Sequence, residues 1–184
     1  MFFTKLFRRV SGIALFLSLT LNAIADDPKG FGPPQGKGPG GKGKRADKTF
    51  VADRDTFHFL LTNHKFITRT VKKVDNGVVT FTESEKPEVA QKIQEHVPAM
   101  YERLKSGNGV RYWDPLFAEA FKHGKKMKME ITDTAKGVKV TETSDDAEVV
   151  KIIQAHADVV TKFVEKGFEE AHKEHPVSPT GQKK

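Results

Sequence analysis

Between residues 53 and 167 the apolar positions change period in a regular order. Over Asp53–His64 the residues Phe57, Leu60, Leu61 and His64 recur at i, i+3, i+4 and i+7, the stripe of an amphipathic helix. Phe66–Val74 then alternates with β-branched residues, Asp75-Asn76-Gly77 is a hairpin signal, and Val78–Thr82 returns. A longer helix follows, with the stripe Val89, Ile93, Val97, Met100, Leu104 and a terminating Gly107. The order then repeats. Asp114 and Pro115 supply an N-cap and an N1 proline for Leu116–His123, and Met127–Thr134 and Val138–Thr143 flank the turn Ala135-Lys136-Gly137. A second long helix carries Val149, Ile152, Ile153, Val160 and Phe163 and stops at Gly167. Met127, Met129 and Ile131 alternate with Lys128, Glu130 and Thr132, so one sheet face is buried and the other wetted. Ser84 and Ser144 stand where N-caps belong, and Pro98 is expected to kink the first long helix by removing a backbone donor.

The recurrence is visible residue by residue. Laid over 137–167 without a gap, residues 77–107 match at Gly77, Val78, Ser84, Glu88, Val89, Ile93, Gln94, His96 and Gly107, nine identities in 31 positions at an offset of 60. The expected fold class is therefore α+β: a single domain of two tandem α-β-β-α repeats, with an antiparallel sheet of about four strands packed against helices. The duplicated domain is expected over 49–175, its halves at about 53–107 and 114–167, with a flexible tail at 176–184.

What precedes the domain has a different composition. A basic start, Lys5, Arg8 and Arg9, then the apolar run Val10–Leu21 and the small-residue site Ala23-Ile24-Ala25 form a secretory signal peptide cleaved after Ala25. The apolar run falls short of the roughly 20 residues that span a bilayer as a helix, so no transmembrane anchor is expected after cleavage and the destination is periplasmic or secreted. Residues 26–48, rich in Gly, Pro and Lys, bury too little to fold and read as a disordered tether. Gly38 and Gly43-Lys44 imitate a phosphate loop, but Arg45 replaces the required hydroxyl residue and no strand precedes them. Of 31 Lys and Arg, nine lie before residue 49, against three of 24 Asp and Glu. The domain is left close to neutral, which gives no basis for a specific nucleic-acid partner. The absence of cysteine excludes disulfide scaffolds, thiol nucleophiles and covalent haem.

Chemistry concentrates on histidine. His64 and His123 end the short helices, while His96 and His156 lie three residues beyond Ile93 and Ile153 on the buried stripes of the long ones. Buried imidazoles are more often core residues bonded to a carbonyl or to a neighbour such as Gln94 or Gln154, and duplication alone explains their pairing. A twofold arrangement, however, brings equivalent ligands toward one point, so His64, His96, His123 and His156 are the candidate metal ligands. Imidazoles without thiolate suit zinc or copper, or non-covalent haem b between Phe57, Phe117, Phe121 or Phe163. Met100, Met127 and Met129 offer soft ligands for Cu⁺ or simply fill core gaps. His172 and His175 read as a solvated helix end or a weak surface metal site. Asp145 and Asp146 fit a helix dipole better than a catalytic pair. Tyr112-Trp113-Asp114-Pro115-Leu116-Phe117 reads as an aromatic bridge plugging the core between the halves, with a ligand or partner lid as the alternative.

The segments Arg111–Phe117, Thr143–Asp146 and Ile152–Ala157 resemble those of a family of exported bacterial proteins. The resemblance covers about residues 55–175 and implies an envelope location and one duplicated domain, with no activity, cofactor or site attached. The expectation is an exported, non-enzymatic binding protein for a transition metal or haem. The alternatives are a structural or protein-interaction module with an unidentified protein partner, and a metal-dependent oxidoreductase.

Overall fold

The computed structural model describes residues 48–177. The signal segment, most of the tether and the tail from residue 178 lie outside the described residues. The chain runs α1 (Lys48–Thr62), β1 (Ile67–Val74), β2 (Gly77–Ser84), α2 (Pro87–Ser106), α3 (Pro115–His123), β3 (Lys128–Thr134), β4 (Gly137–Thr143), α4 (Ala147–Lys166) and the single turn α5 (Phe168–Ala171). Tight 3₁₀ turns, His64–Phe66 and Gly124–Lys126, lead from α1 into β1 and from α3 into β3. The α-β-β-α order therefore occurs twice, and the body is α+β.

The strands form one antiparallel sheet in the order β1-β2-β4-β3. Its centre sets its symmetry: β2 pairs with β4 so that Thr80 lies opposite Val140, its own counterpart in the other repeat, while Val78 faces Glu142 and Thr82 faces Val138. A pseudo-twofold axis therefore passes between Thr80 and Val140. Gly77 and Gly137 open the central strands where the strands come closest. A Cβ at Gly77 would lie 1.9 Å from the Glu142 carbonyl oxygen, and one at Gly137 would lie 2.1 Å from that of Thr82.

Alternation along the strands sends Val78, Thr80, Thr82, Val138, Val140 and Glu142 to the helix-covered face. There Val138 and Val140 pack with Leu60, Val89 and Ile93. The opposite face is polar, with Phe81 beside Lys139 as its aromatic patch. Each long helix crosses to the other repeat's hairpin. Gln94 of α2 donates to the carbonyls of Thr134 and Gly137, and Gln154 of α4 donates to those of Val74 and Gly77. The two glutamines thus clamp the opposite turns, not the histidines beside them.

Several local expectations are corrected. Ser84 and Ser144 are not N-caps; they end the central strands, donating to the carbonyls of Phe66 and Lys126 and accepting from the N–H groups of Lys86 and Asp146. Lys86 and Asp146 are the caps, and only Asp146 bonds through its side chain, to Glu148 N. Tyr112 is 56% exposed and plugs nothing, whereas Leu116 and Phe117 are buried. His175 is buried as well, with Nδ1 2.7 Å from Asp114 Oδ2 and Nε2 3.3 Å from Glu170 Oε1. Beside it Arg111, at φ 60°, donates to Asp114, to the Ala171 carbonyl and to that of Lys173. This network holds His175 and the chain after α5 onto α3, while His172 stays exposed at the helix end.

Gly77→Ala should separate the central strands and cost about 3 kcal/mol, as overpacking does. Gly107→Ala has open space around its Cβ and a φ of 69°, so it should cost about 1 kcal/mol from the left-handed backbone alone. Urea denaturation of both variants checks the difference, and equal losses would contradict the strand contact.

Candidate functional site

Between the covered face of the sheet and helices α2, α3 and α4 lies a cavity of about 170 Å³. Thr80 and Val140 are in its lining, so it sits on the pseudo-twofold axis. The sheet adds Arg69, Thr82, Met129 and Glu142; α2 adds His96, Val97 and Met100; α3 adds Phe117 and Phe121; α4 adds His156 and Val160. By the same measure an apolar cavity of about 150 Å³ accepts benzene, so this one is of ligand size.

His96 and His156 meet the same cavity because their helices are symmetry mates, and each has an aromatic support from the same repeat position. Phe57 stacks on His96 with ring centres 5.8 Å apart, and Phe117 meets His156 edge-on at 5.2 Å. Phe163 touches both phenylalanines, at 6.0 and 5.9 Å, and joins the two supports. Burial dominates both imidazoles and lowers their pKa to about 4; Asp53 opposes this at His96, while the Arg69 charge adds to it at His156. Both rings are therefore neutral at pH 7. Nδ1 of His96 is buried without a hydrogen-bond partner among the described residues.

The other two candidate ligands are elsewhere. Nδ1 of His64 is 2.8 Å from the Val164 carbonyl, and His123 pairs with Glu119 on α3. Neither lines the cavity, and among the described residues no three His, Asp or Glu side chains are grouped to hold a metal. The four-imidazole arrangement is thus reduced to the pair His96 and His156.

Two charged residues complete the lining. Arg69 shares the strand parity of Ile67 and Val71, and Glu142 that of Val138 and Val140, so both point with apolar residues toward the helices. Arg69 donates through Nη1 to the Thr82 hydroxyl, while its buried Nε has no partner among the described residues. Burial lowers its pKa to about 10 against the pull of Glu142, and raises that of Glu142 to about 7 against the pull of Arg69. No ion pair closes between them. An inward charged position on each of two strands is the available sequence signal, and the repeat does not mark it because Arg69 corresponds to Met129 and Glu142 to Thr82. The arrangement offers a cation, a carboxyl that holds its proton near neutrality and two neutral imidazoles in an apolar enclosure.

These groups give stability opposite pH dependences. Each imidazole is neutral in the fold down to about pH 4 but protonates near 6.5 when unfolded, so its contribution is present above 6.5 and lost as pH falls toward 4. Glu142 keeps its proton in the fold up to about pH 7 but loses it near 4.5 when unfolded, so stability declines as pH rises between those values. Two imidazoles outweigh one carboxyl, and the melting temperature should drop from pH 6.5 to 4. The double variant His96→Phe, His156→Phe should flatten that drop. Glu142→Gln should melt above the wild type at pH 8 and lose the advantage at pH 4; calorimetry across this range checks both, and an unchanged profile in either variant would refute its assignment.

No protein family, no curated protein and no solved structure matches this chain.

Proposed function

We propose that the protein is a non-enzymatic binding module that takes a small ligand into the cavity over its twofold axis. The observation that carries this reading is the pair of buried, unpartnered donor or acceptor atoms on one ligand-sized cavity, Arg69 Nε and His96 Nδ1. A buried polar atom left without a partner costs about 1–3 kcal/mol, and a ligand that satisfies it recovers that loss. The hydroxyls of Ser84 and Ser144 are engaged at strand ends, which favours binding over acyl transfer. The charge and hydropathy pattern of residues 1–25 supports export, so the ligand is one met outside the cytoplasm. Among the described residues no helix is long and apolar enough to cross a membrane.

A second reading has its own support. His96, His156 and the sulfur-bearing Met100, Met127 and Met129 line the same cavity, a nitrogen and thioether set that suits Cu⁺ better than a hard cation. Haem b is less well supported, because a benzene-scale cavity is smaller than a tetrapyrrole.

Native mass spectrometry and metal analysis of protein purified from a periplasmic extract test both readings. The first expects a released organic mass at stoichiometric level that disappears in Ala157→Phe, which projects a ring into the cavity. The second expects stoichiometric copper that disappears in His96→Ala, His156→Ala. Copper retained in that double variant removes the metal reading, and an organic ligand retained in the filled variant removes the cavity reading.

A further inference from the structure

We propose that the cavity selects a small monocarboxylate with a ring-sized apolar body, its carboxylate held on the guanidinium of Arg69. The inference rests on the cavity being the ligand site and adds the chemical class. Arg69 is the cation of the lining, and the two imidazoles are neutral there. Its Nη1 is used by Thr82, while Nε–H is buried without a partner among the described residues. Nε and the adjoining Nη form one edge of the guanidinium fork, whose spacing matches the two oxygens of a carboxylate.

The remainder of the lining narrows the class. Glu142 faces the same space but closes no ion pair with Arg69, so the fork is not occupied from within. Burial favours the protonated carboxyl, and an arriving carboxylate favours it further; the acid O–H can then donate to the ligand. A phosphate dianion would bring two charges to one cation. An amino acid would need Glu142 ionised to pair its ammonium, which the burial of that carboxyl opposes, and the lining around Met100, Phe117, Phe121 and Val160 is apolar. A single negative charge on an apolar body is what this enclosure can neutralise and cover.

Titration calorimetry of the full chain at pH 7 with benzoate and with benzyl alcohol, its neutral counterpart, provides the test. Benzoate should bind at least about tenfold tighter than the alcohol, the margin of one charge-assisted bidentate contact. Arg69→Gln should bring benzoate down to the level of the alcohol and leave the alcohol unchanged, whereas Glu142→Gln should retain benzoate. Should Arg69→Gln not fold, Arg69→Lys, with the charge but without the fork, should bind benzoate more weakly than the wild type. Benzoate binding no tighter than the alcohol overturns the carboxylate assignment and leaves the cavity reading standing; binding of neither overturns both.

Discussion

The antiparallel pairing of β2 with β4, residue Thr80 against Val140, is the constraint on which the rest of the molecule depends. A duplicated chain could have joined its halves through helices or through outer strands. Joining them at the central strands places the twofold axis in the middle of the sheet, and both long helices must then cross it from opposite sides. Gln94 and Gln154 confirm the crossing, since each donates to the turn of the other repeat's hairpin. The helices meet the sheet over the partner's strands, leaving the space above the axis to be closed by side chains from α2, α3 and α4. His96 and His156 line that space because they are equivalent positions on those helices.

Symmetry alone would have made a featureless apolar pocket with two imidazoles. Its chemistry comes from departures from the repeat. Arg69 replaces the apolar side chain that Met129 contributes on the other outer strand, and Glu142 replaces the hydroxyl that Thr82 contributes on the other central strand. Arg69 pairs across the ladder with Thr82, and Glu142 with Met129, so the charges fall on opposite sides of the axis. An adjacent pair would neutralise itself as a buried salt bridge; a separated pair polarises the cavity and keeps hydrogen-bonding capacity directed into it.

Much of this architecture was legible in the sequence because it is local. The hairpin signals at Asp75-Asn76-Gly77 and Ala135-Lys136-Gly137, the alternation of Met127, Met129 and Ile131, and the glycines ending the long helices each depend on neighbours within a few residues. The offset of 60 also identified His96 and His156 as equivalent. What was not legible depends on partners distant in the chain. Ser84 has the spacing of a helix cap, yet the carbonyl it binds belongs to Phe66 across the sheet. His175 sits in a polar terminal segment, and only the fold brings it against Asp114. His64 shares the periodicity of a core residue, but its ring turns to the Val164 carbonyl. Arg69 and Glu142 carry no repeat signal, because their counterparts at the offset of 60 are Met129 and Thr82.

The cavity costs the fold stability that a better-filled core would keep. A space of this size left unfilled by side chains forgoes packing contacts that a domain held together by about 5–15 kcal/mol would otherwise gain. The position invites filling, since a larger residue at Ala120 or Ala157 would extend into it from either helix. Lining it with Arg69 and Glu142 adds desolvation to the same account, as both charges are displaced from their ordinary pKa values by burial. Aliphatic residues at those two strand positions would give the duplicated fold a tighter core with no change in topology. The space and the charges therefore belong together as one polarised pocket kept at the expense of packing, and a ligand of the kind proposed would offset that cost.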